Sequence, residues 1–253
     1  MTDDGPAAVV DRRIDTLRVL ADGPASTPTL VDRVDVSRST VDRAIHELGA
    51  LGFVASAPGD NRITTLGRVA LAAHDRRSRR LDTLADAAPL FDDVALDVDP
   101  AVFDDATLVL AGPRAPHRPV DRVATLVADA THVSVYTARF LGRHARLYHD
   151  RVVDAGMTGS FVATDRVIEQ VAAARPDDLR DVIDLGRVAL RRTGRDDPVT
   201  LVLAETPTGP EMGLVVYRDG VPRGFLDNDH PAATRWARAV HERLWTAAAP
   251  VDL

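Results

Sequence analysis

The chain has 253 residues, of which 45% are hydrophobic and 27% charged, and it contains no cysteine. This composition is that of a globular protein, and the length favours two compact domains. The lack of cysteine excludes disulfides, zinc–thiolate sites and a thiol nucleophile. No run approaches the roughly 18 consecutive apolar residues of a membrane helix, and the first residues do not resemble a secretory signal. We therefore expect a cytoplasmic protein with no membrane partner.

The charged residues are unusual in kind and in distribution. All 31 basic residues are arginine, and the 38 acidic residues comprise 33 Asp and 5 Glu. This balance resembles proteins of salt-loving archaea, in which carboxylates hold water and cations, but the codon usage of a GC-rich genome also replaces lysine with arginine. Both explanations stay open. Residues 1–80 hold 12 Arg and 11 acidic residues, a net charge of +1, whereas the remainder holds 19 Arg and 27 acidic residues, a net charge of −8. The N-terminal part is therefore free to bind DNA.

The N-terminal part has the pattern of a winged helix-turn-helix. Ser26-Thr27-Pro28 supplies a hydroxyl N-cap followed by proline at the first helical position, and Ser37 caps the next helix. Asp35-Val36-Ser37 forms a tight turn between these two short helices. The residues from Pro58 to Asn61 form a turn between two short strands, which is the wing. The predicted elements are helices over 10–21, 28–34 and 38–51, strands over 53–55 and 62–64, and a helix over 65–73.

The stretch from Val36 to Ile45 closely resembles the recognition helices of archaeal and bacterial winged-helix regulators, and the stretch from Leu48 to Val54 resembles their exit into the wing. The resemblance covers about 65 residues and implies a helix that enters the major groove of double-stranded DNA. Hydroxyls and free N–H groups at its N-terminus suit phosphate oxygens, and arginines suit guanine or phosphate. The candidate DNA-binding residues are Ser37, Arg38, Ser39, Thr40, Arg43, His46, Asn61 and Arg62.

Two alternatives remain for this face. Ser37 can be only a helix cap, with the arginines solvating a surface, and winged helices also serve as protein-docking modules. The crowding of hydroxyls and arginines at the leading edge favours DNA.

A basic helix follows the wing. Arg76-Arg77-Ser78-Arg79-Arg80 begins a second helix that ends at Pro89. Its arginines can follow DNA phosphates or solvate a connector, and the connector is favoured. We therefore divide the chain into a DNA-binding domain over 1–75, a connector over 76–95 and a regulatory domain over 96–253.

The C-terminal part alternates strands and helices, which predicts an α/β sheet with an antiparallel portion towards the end, and an α+β protein overall. The predicted strands are 107–111, 133–136, 160–163, 199–204, 212–217 and 224–226, and the predicted helices are 119–130, 139–155, 165–174, 177–192 and 231–248.

Three segments of this part resemble the C-terminal domain of archaeal winged-helix regulators of the methanogenesis and filamentation type: Gly213 to Gly220, Gly224 to Leu226, and Asp229 to Ala237. The region is also distantly similar to the effector domain of TrmB-like sugar-sensing regulators, which is related to phospholipase D. The resemblance implies an effector-sensing or dimerising domain. A homodimer and a small-molecule effector are therefore expected as partners beside DNA.

Catalysis is not expected. A chain without lysine cannot supply the His-x-Lys-x4-Asp motif of phospholipase D, a P-loop lysine or a Schiff base, and neither a Gly-x-Ser-x-Gly elbow nor a Gly-x-Gly-x-x-Gly loop is present. The stretch Asp227-Asn228-Asp229-His230 is the densest group of metal-ligand residue types, but a polar cap before Pro231 is the favoured interpretation. We expect no catalytic residue, cofactor or metal, and a small-molecule enzyme is the remaining alternative.

If an effector binds, the expected place is the crevice beyond the carboxyl ends of the parallel strands. Arg114 and Arg139 can hold an anionic group there, Tyr136 can stack on a ring, and Thr164 lies at the next strand end. Alternatively, Tyr136 packs in the core and both arginines pair with surface aspartates.

Overall fold

The computed structural model describes residues 5–91, 94 and 97–251. The chain forms two compact units, Met1–Leu81 and Asp82–Leu253. Residues 92, 93 and 95 of the predicted connector lie outside the described part. The elements of the first unit are α1 Pro6–Asp22, α2 Thr27–Val34, α3 Arg38–Ala50, β1 Val54–Ala57, β2 Asp60–Ile63 and α4 Thr65–Phe91, whose last ten residues belong to the second unit.

Serine caps position the two central helices of the first unit. Ser26 Oγ accepts a hydrogen bond from Thr29 N at 3.3 Å, and Ser37 Oγ accepts one from Thr40 N at 3.2 Å. Between them Asp35 adopts a left-handed conformation, with φ of 57°, and its N–H donates to the carbonyl of Val31. The helix-turn-helix predicted from these caps is confirmed.

A single apolar core holds the first unit together. Leu17, Leu30, Val41 and Leu48 have no exposed surface, and burying each of these side chains stabilises the fold by roughly 1.5–3 kcal/mol. The wing hairpin β1–β2 follows, and Ala25 forms an isolated antiparallel bridge with Asn61. This order of three helices, a hairpin and a further helix is that of a winged helix-turn-helix.

The sequence predicts two helices after the wing, and the structure has one. α4 runs without a break through the expected gap, and it contains Pro89. Neither His74 nor Asp75 stops a helix, so nothing local separates the two segments. Pro89 is the third-last residue of α4, where its missing N–H removes only one of the last hydrogen bonds.

The second unit is an eight-stranded sheet covered on both faces. The strand order is β10-β6-β5-β4-β7-β8-β9-β3, with β4, β5 and β6 parallel and all other pairs antiparallel. This confirms the predicted α/β sheet with an antiparallel portion. After a short 3-10 helix at Pro100–Phe103, its elements are β3 Thr107–Leu110, α5 Arg118–Val127, β4 His132–Thr137, α6 Gly142–Ala155, β5 Thr158–Thr164, α7 Asp165–Ala174, α8 Pro176–Asp184, β6 Val188–Thr193, β7 Val199–Thr206, β8 Gly209–Arg218, β9 Val221–Asn228, α9 Pro231–Ala247 and β10 Ala249–Pro250.

The predicted helix over 177–192 is wrong beyond α8. Gly186, with φ of 64°, follows the helix, and β6 then pairs in parallel with β5. The sequence pattern predicted a helix here because β6 is only partly buried and carries two arginines. Its alternation of apolar and polar residues is therefore too weak to indicate a strand.

Alternate residues of β4 face opposite sides of the sheet. Tyr136 packs in the apolar cluster beneath α9, whereas Val135 packs in the cluster beneath α5, α6 and α8. No helix among the described residues is long and apolar enough to cross a membrane.

Candidate nucleic-acid interface

The outward face of α3 is polar and accessible. Ser39, Arg43 and His46 are exposed, and they follow one another at spacings of four and three residues on one side of the helix. Val41 and Leu48, on the opposite side, are fully buried. Packing of α3 against the core therefore directs this row of side chains to solvent.

The acidic side chains of α3 are paired. Glu47 accepts a hydrogen bond from Arg13 Nε at 3.0 Å, and Arg12 Nη2 lies 3.5 Å from the same carboxylate. The hydrogen bond from Arg13 holds the pKa of Glu47 below its usual range, against the opposing effect of burial. Asp42 lies 3.9 Å from Arg38 Nε one turn away. The negative charges of the helix are thus compensated within the unit.

Arg43 differs from these arginines. It is exposed, and within the described residues it has no ion-pair partner. Its guanidinium is therefore available to a ligand without breaking an internal contact. Sequence reasoning found Arg43 from its position off the apolar face, but it missed Arg13, which lies 34 residues from Glu47 and carries no local signal.

The hydroxyls at the start of α3 have different roles. Ser37 is engaged as the cap, and its Oγ also lies 3.0 Å from Ser39 Oγ and 2.8 Å from Thr40 Oγ1. Ser39 and Arg38 are exposed, whereas Thr40 is half-buried. The structure therefore agrees with the interpretation of Ser37 as a helix cap, and Ser39 is an exposed hydroxyl that does not serve as the cap.

The two predicted wing residues differ in exposure: Arg62 is exposed and Asn61 is buried. Arg62 is exposed in the middle of β2, opposite Ala55. Asn61 is only 7% exposed, accepts a hydrogen bond from Ser56 Oγ at 2.8 Å and donates to the carbonyl of Ala25 at 3.3 Å. The placement of Asn61 at the wing tip is wrong, because its amide joins the wing to the strand residue before α2.

The four predicted effector residues do not form one crevice. β3 lies four strands from β4 in the sheet, roughly 19 Å away at the usual strand spacing, so Arg114 is remote from Arg139. Tyr136 is 1% exposed, and its hydroxyl donates to the carbonyl of Arg195 at 3.2 Å. A residue so enclosed cannot stack on a ligand ring.

The other two predicted effector residues, Arg139 and Thr164, are bonded to other groups of the protein. Arg139 donates to the carbonyl of Ala138 at 2.8 Å and pairs with Asp196. Thr164 caps α7 by accepting a hydrogen bond from Val167 N at 3.3 Å. The alternative interpretation, with a core tyrosine and an arginine paired to a surface aspartate, therefore describes Tyr136 and Arg139.

Two family models match the chain. Residues 116–247, a little over half of the chain, match the model of the methanogenesis regulatory protein FilR1, middle domain. The chain belongs to the FilR1 middle-domain family. Residues 6–86 match the model described as the HVO_A0261 N-terminal domain. No curated protein matches the chain significantly.

Several solved structures are similar to this FilR1-family chain in part of their fold. TrmBL2, an archaeal chromatin protein with a novel mode of DNA binding, is 13% identical with a TM-score of 0.45, covering 99% of this chain and 100% of its own. The transcriptional regulator BldR from Sulfolobus solfataricus is 22% identical over 34% of this chain and 64% of its own, with a TM-score of 0.27. Nuc from Salmonella typhimurium, a phospholipase D family member, is 9% identical over 59% of this chain and 100% of its own, with a TM-score of 0.43. These similarities are too low to support an argument about function.

Within the FilR1-type region, the polar residues from the end of β9 to the start of α9 stabilise the fold. Asn228 donates to the carbonyl of Asp104 at 2.8 Å, and His230 Nδ1 accepts from Ala232 N at 3.2 Å as the cap of α9. Asp227 is paired with Arg122 at 2.6 Å. Among the described residues no group of three or more potential ligands is arranged to hold a metal ion.

Proposed function

We propose that this chain is a DNA-binding transcriptional regulator in which α3 enters the major groove of duplex DNA. The observation that carries the proposal is the exposed row of Ser39, Arg43 and His46 on a helix whose acidic side chains are paired internally. A groove-reading helix needs accessible donors and little negative charge, and this face meets both conditions.

The individual roles follow from position. Arg43, in the middle of the row, reads a guanine edge through its two-pronged guanidinium. Ser39 and Arg38, at the N-terminal end of α3, contact phosphates, and His46 reaches the groove one turn further along. Arg62 contacts the neighbouring backbone from the wing.

The C-terminal unit regulates and does not catalyse in this proposal. The family model that matches it carries the name of a regulatory protein, and the chain has no lysine for the phospholipase D motif. Protein docking by the winged helix is the second candidate, and it becomes the leading one if no duplex binds.

The proposal includes a homodimer, which would present two recognition helices to two half-sites. On α4, Leu66, Val69 and Leu81 are 61%, 61% and 57% exposed. At about 100° per residue these side chains lie within an arc of roughly 120°. An apolar stripe on an exposed helix is suited to pairing with a second copy.

Fluorescence anisotropy tests the proposal. The full chain is titrated onto a duplex from the DNA upstream of its own gene and onto a scrambled duplex of equal length and composition. KCl is varied from moderate to molar concentration, because phosphate contacts weaken with salt whereas base contacts determine the preference between duplexes. Tighter binding to the upstream duplex is expected. Absence of binding to either duplex at every salt concentration would overturn the DNA-binding proposal and favour protein docking.

A further inference from the structure

A cavity of ≈ 140 Å³ lies in the C-terminal unit between the sheet and helices α6, α7 and α8. Its wall is mainly apolar, with side chains from all three helices and from β4, β5, β6 and β7; Val135, Phe161, Val167, Leu179 and Leu190 are examples. An apolar space of roughly 150 Å³ accepts a benzene-sized molecule. The size of this cavity is therefore that of one six-membered ring with a small substituent.

The threonine hydroxyls on the sheet side of the cavity already donate their protons to other groups of the protein. Thr137 Oγ1 donates to the carbonyl of Arg139 at 2.9 Å, so the 2.7 Å contact between Thr200 and Thr137 takes its proton from Thr200. Tyr217 must then donate to Thr200 across their 3.3 Å contact. Each hydroxyl has one proton, so neither threonine keeps a donor for a ligand.

Tyr148, on α6, differs from these groups. It lines the cavity, its ring packs edge-to-face against Phe161 at 5.2 Å, and its hydroxyl oxygen is buried without a hydrogen-bond partner among the described residues. Burial raises the pKa of Tyr148 above its usual value, which keeps the proton on the oxygen. A buried hydroxyl without a partner destabilises the fold, so a ligand that bonds to it relieves this penalty.

A bound water is a poor partner for this hydroxyl. An ordered buried water needs two to four polar neighbours, and the lining of this cavity is mainly apolar. An organic molecule with one acceptor atom satisfies Tyr148 and fills the apolar space as well.

The charged groups around the cavity are compensated, which sets the charge of the ligand. Arg175 pairs with Asp178 at 2.7 Å, and Arg139 pairs with Asp196. His149 Nδ1 lies 3.1 Å from Asp150, and its buried Nε2 lies 3.6 Å from Asp181, with no hydrogen-bond partner among the described residues. A charged ligand would have to displace one of these pairs or enter the apolar space uncompensated.

We infer that this cavity binds a neutral, ring-sized organic molecule with a single hydrogen-bond acceptor, which receives the proton of Tyr148. Phe161 and Tyr148 both line the cavity, and aromatic side chains pack favourably against an aromatic guest. The inference gives a ligand class to the C-terminal unit, and the binding itself does not depend on the proposed DNA-binding function.

Isothermal titration of the full chain with two probes tests the inference in the absence of DNA. Acetophenone carries a carbonyl acceptor, and ethylbenzene has nearly the same shape without one. Acetophenone is expected to bind roughly three- to tenfold more tightly, the range that corresponds to one net hydrogen bond. Three variants accompany the native chain: Tyr148→Phe, Ala145→Leu, which fills the cavity from α6, and Tyr136→Phe as a matched control on the opposite face of the sheet.

The expected pattern is specific. Tyr148→Phe should bind both probes equally, Ala145→Leu should bind neither, and Tyr136→Phe should bind both as the native chain does. Failure of the native chain to bind either probe at millimolar concentration overturns the inference. Equal affinity for both probes in the native chain, or binding that survives Ala145→Leu, overturns the assigned hydrogen bond or the assigned cavity. None of these results alters the DNA measurement, so the two proposals fail separately.

Discussion

Arg13 on α1 and Glu47 on α3 form a two-point ion pair. Arg13 Nε lies 3.0 Å from Glu47 Oε2, and Arg13 Nη2 lies 3.4 Å from Oε1. The arginine side chain is only 10% exposed and the glutamate 26%. The pair ties the recognition helix to the first helix and also removes a negative charge from the surface that would face DNA.

The first prediction concerns this pair. A double-mutant cycle with Arg13→Gln and Glu47→Gln should give a coupling free energy of about 1 kcal/mol, between exposed and buried pairs. Because the pKa of Glu47 is lowered in the folded chain, the coupling is present above the usual glutamate pKa and is lost as the pH falls through the lowered value. Urea unfolding at pH 7 and at pH 3 measures it. Additive single-variant effects at pH 7 would contradict the assigned pair.

The second prediction compares two helical glycines. A Cβ on Gly67 would lie 2.1 Å from the carbonyl oxygen of Phe53, whereas a Cβ on Gly49 would have its nearest neighbour at 3.8 Å, the carbonyl oxygen of Val54. Gly67→Ala should therefore lower the free energy of unfolding of the N-terminal unit by roughly 1–3 kcal/mol, since the backbone must shift. Gly49→Ala should raise it by roughly 0.5–1 kcal/mol, because alanine favours the helix.

Hydrogen exchange of the buried amides of α1 and α3 reports the stability of this unit separately. Similar effects of the two alanines would mean that Gly67 is not in close contact with the start of the wing.

The sequence was sufficient for the parts of the fold that carry local signals. Ser26 and Ser37 marked helix starts through their hydroxyls, and the alternation of strands and helices gave the class of the second unit. The strand order has no such signal, because β6 pairs with β5 while β7, next in the chain, pairs with β4. The expected grouping of Arg114 with Arg139 failed because β3, the first strand of this sheet in the chain, pairs with β9 at the sheet edge.

The same holds for the candidate sites: residues with a local sequence signal were predicted, and residues whose environment depends on distant contacts were not. Arg43 was found because its position relative to an apolar stripe is a local property. Tyr148 was missed because the cavity that it lines is assembled from segments far apart in the chain, such as Thr137 and Thr200, which are 63 positions apart. Asn61 was assigned to the surface as a turn residue, and only its contact with Ala25, 36 positions away, buries it.

The third prediction is a pH dependence in the C-terminal unit. His144 Nε2 donates to the carbonyl of Val120 at 3.2 Å and His241 Nε2 to that of Ser160 at 3.1 Å. Burial lowers the pKa of both histidines, mainly by penalising the charged form. The unfolded chain therefore binds protons that the folded unit does not, and stability should fall as the pH drops below about 6.5, the usual histidine pKa. The raised pKa of His149, whose largest cause is its hydrogen bond with Asp150, acts in the opposite direction.

Urea unfolding followed by tryptophan fluorescence measures this effect, since Trp236 and Trp245 lie on α9 in the same unit. The double variant His144→Gln and His241→Gln keeps both donors but cannot be protonated. It should lose less stability than the native chain between pH 7.5 and pH 5.5. An identical loss in both proteins would rule out these two histidines as the source.

The fourth prediction tests the dimer. Leu66→Glu combined with Val69→Glu places two charges on the exposed stripe of α4, where like charges of two copies would repel. Sedimentation velocity should show a dimer for the native chain and a monomer for this variant. Leu185→Glu is the matched control, because Leu185 is 45% exposed in the C-terminal unit. A dimer that persists in the α4 variant would exclude this helix face as the interface.

The most direct test of the central claim is the affinity of Arg43→Ala for the upstream and scrambled duplexes, measured by anisotropy beside the native chain. Arg180→Ala is the control, since Arg180 is exposed on α8 and its loss changes the net charge equally. If α3 reads the major groove, Arg43→Ala should lose about 1–3 kcal/mol on the upstream duplex and most of its preference over the scrambled one. Arg180→Ala should then bind as the native chain does. Unchanged, sequence-selective binding by Arg43→Ala would contradict the assignment of α3 as the recognition helix.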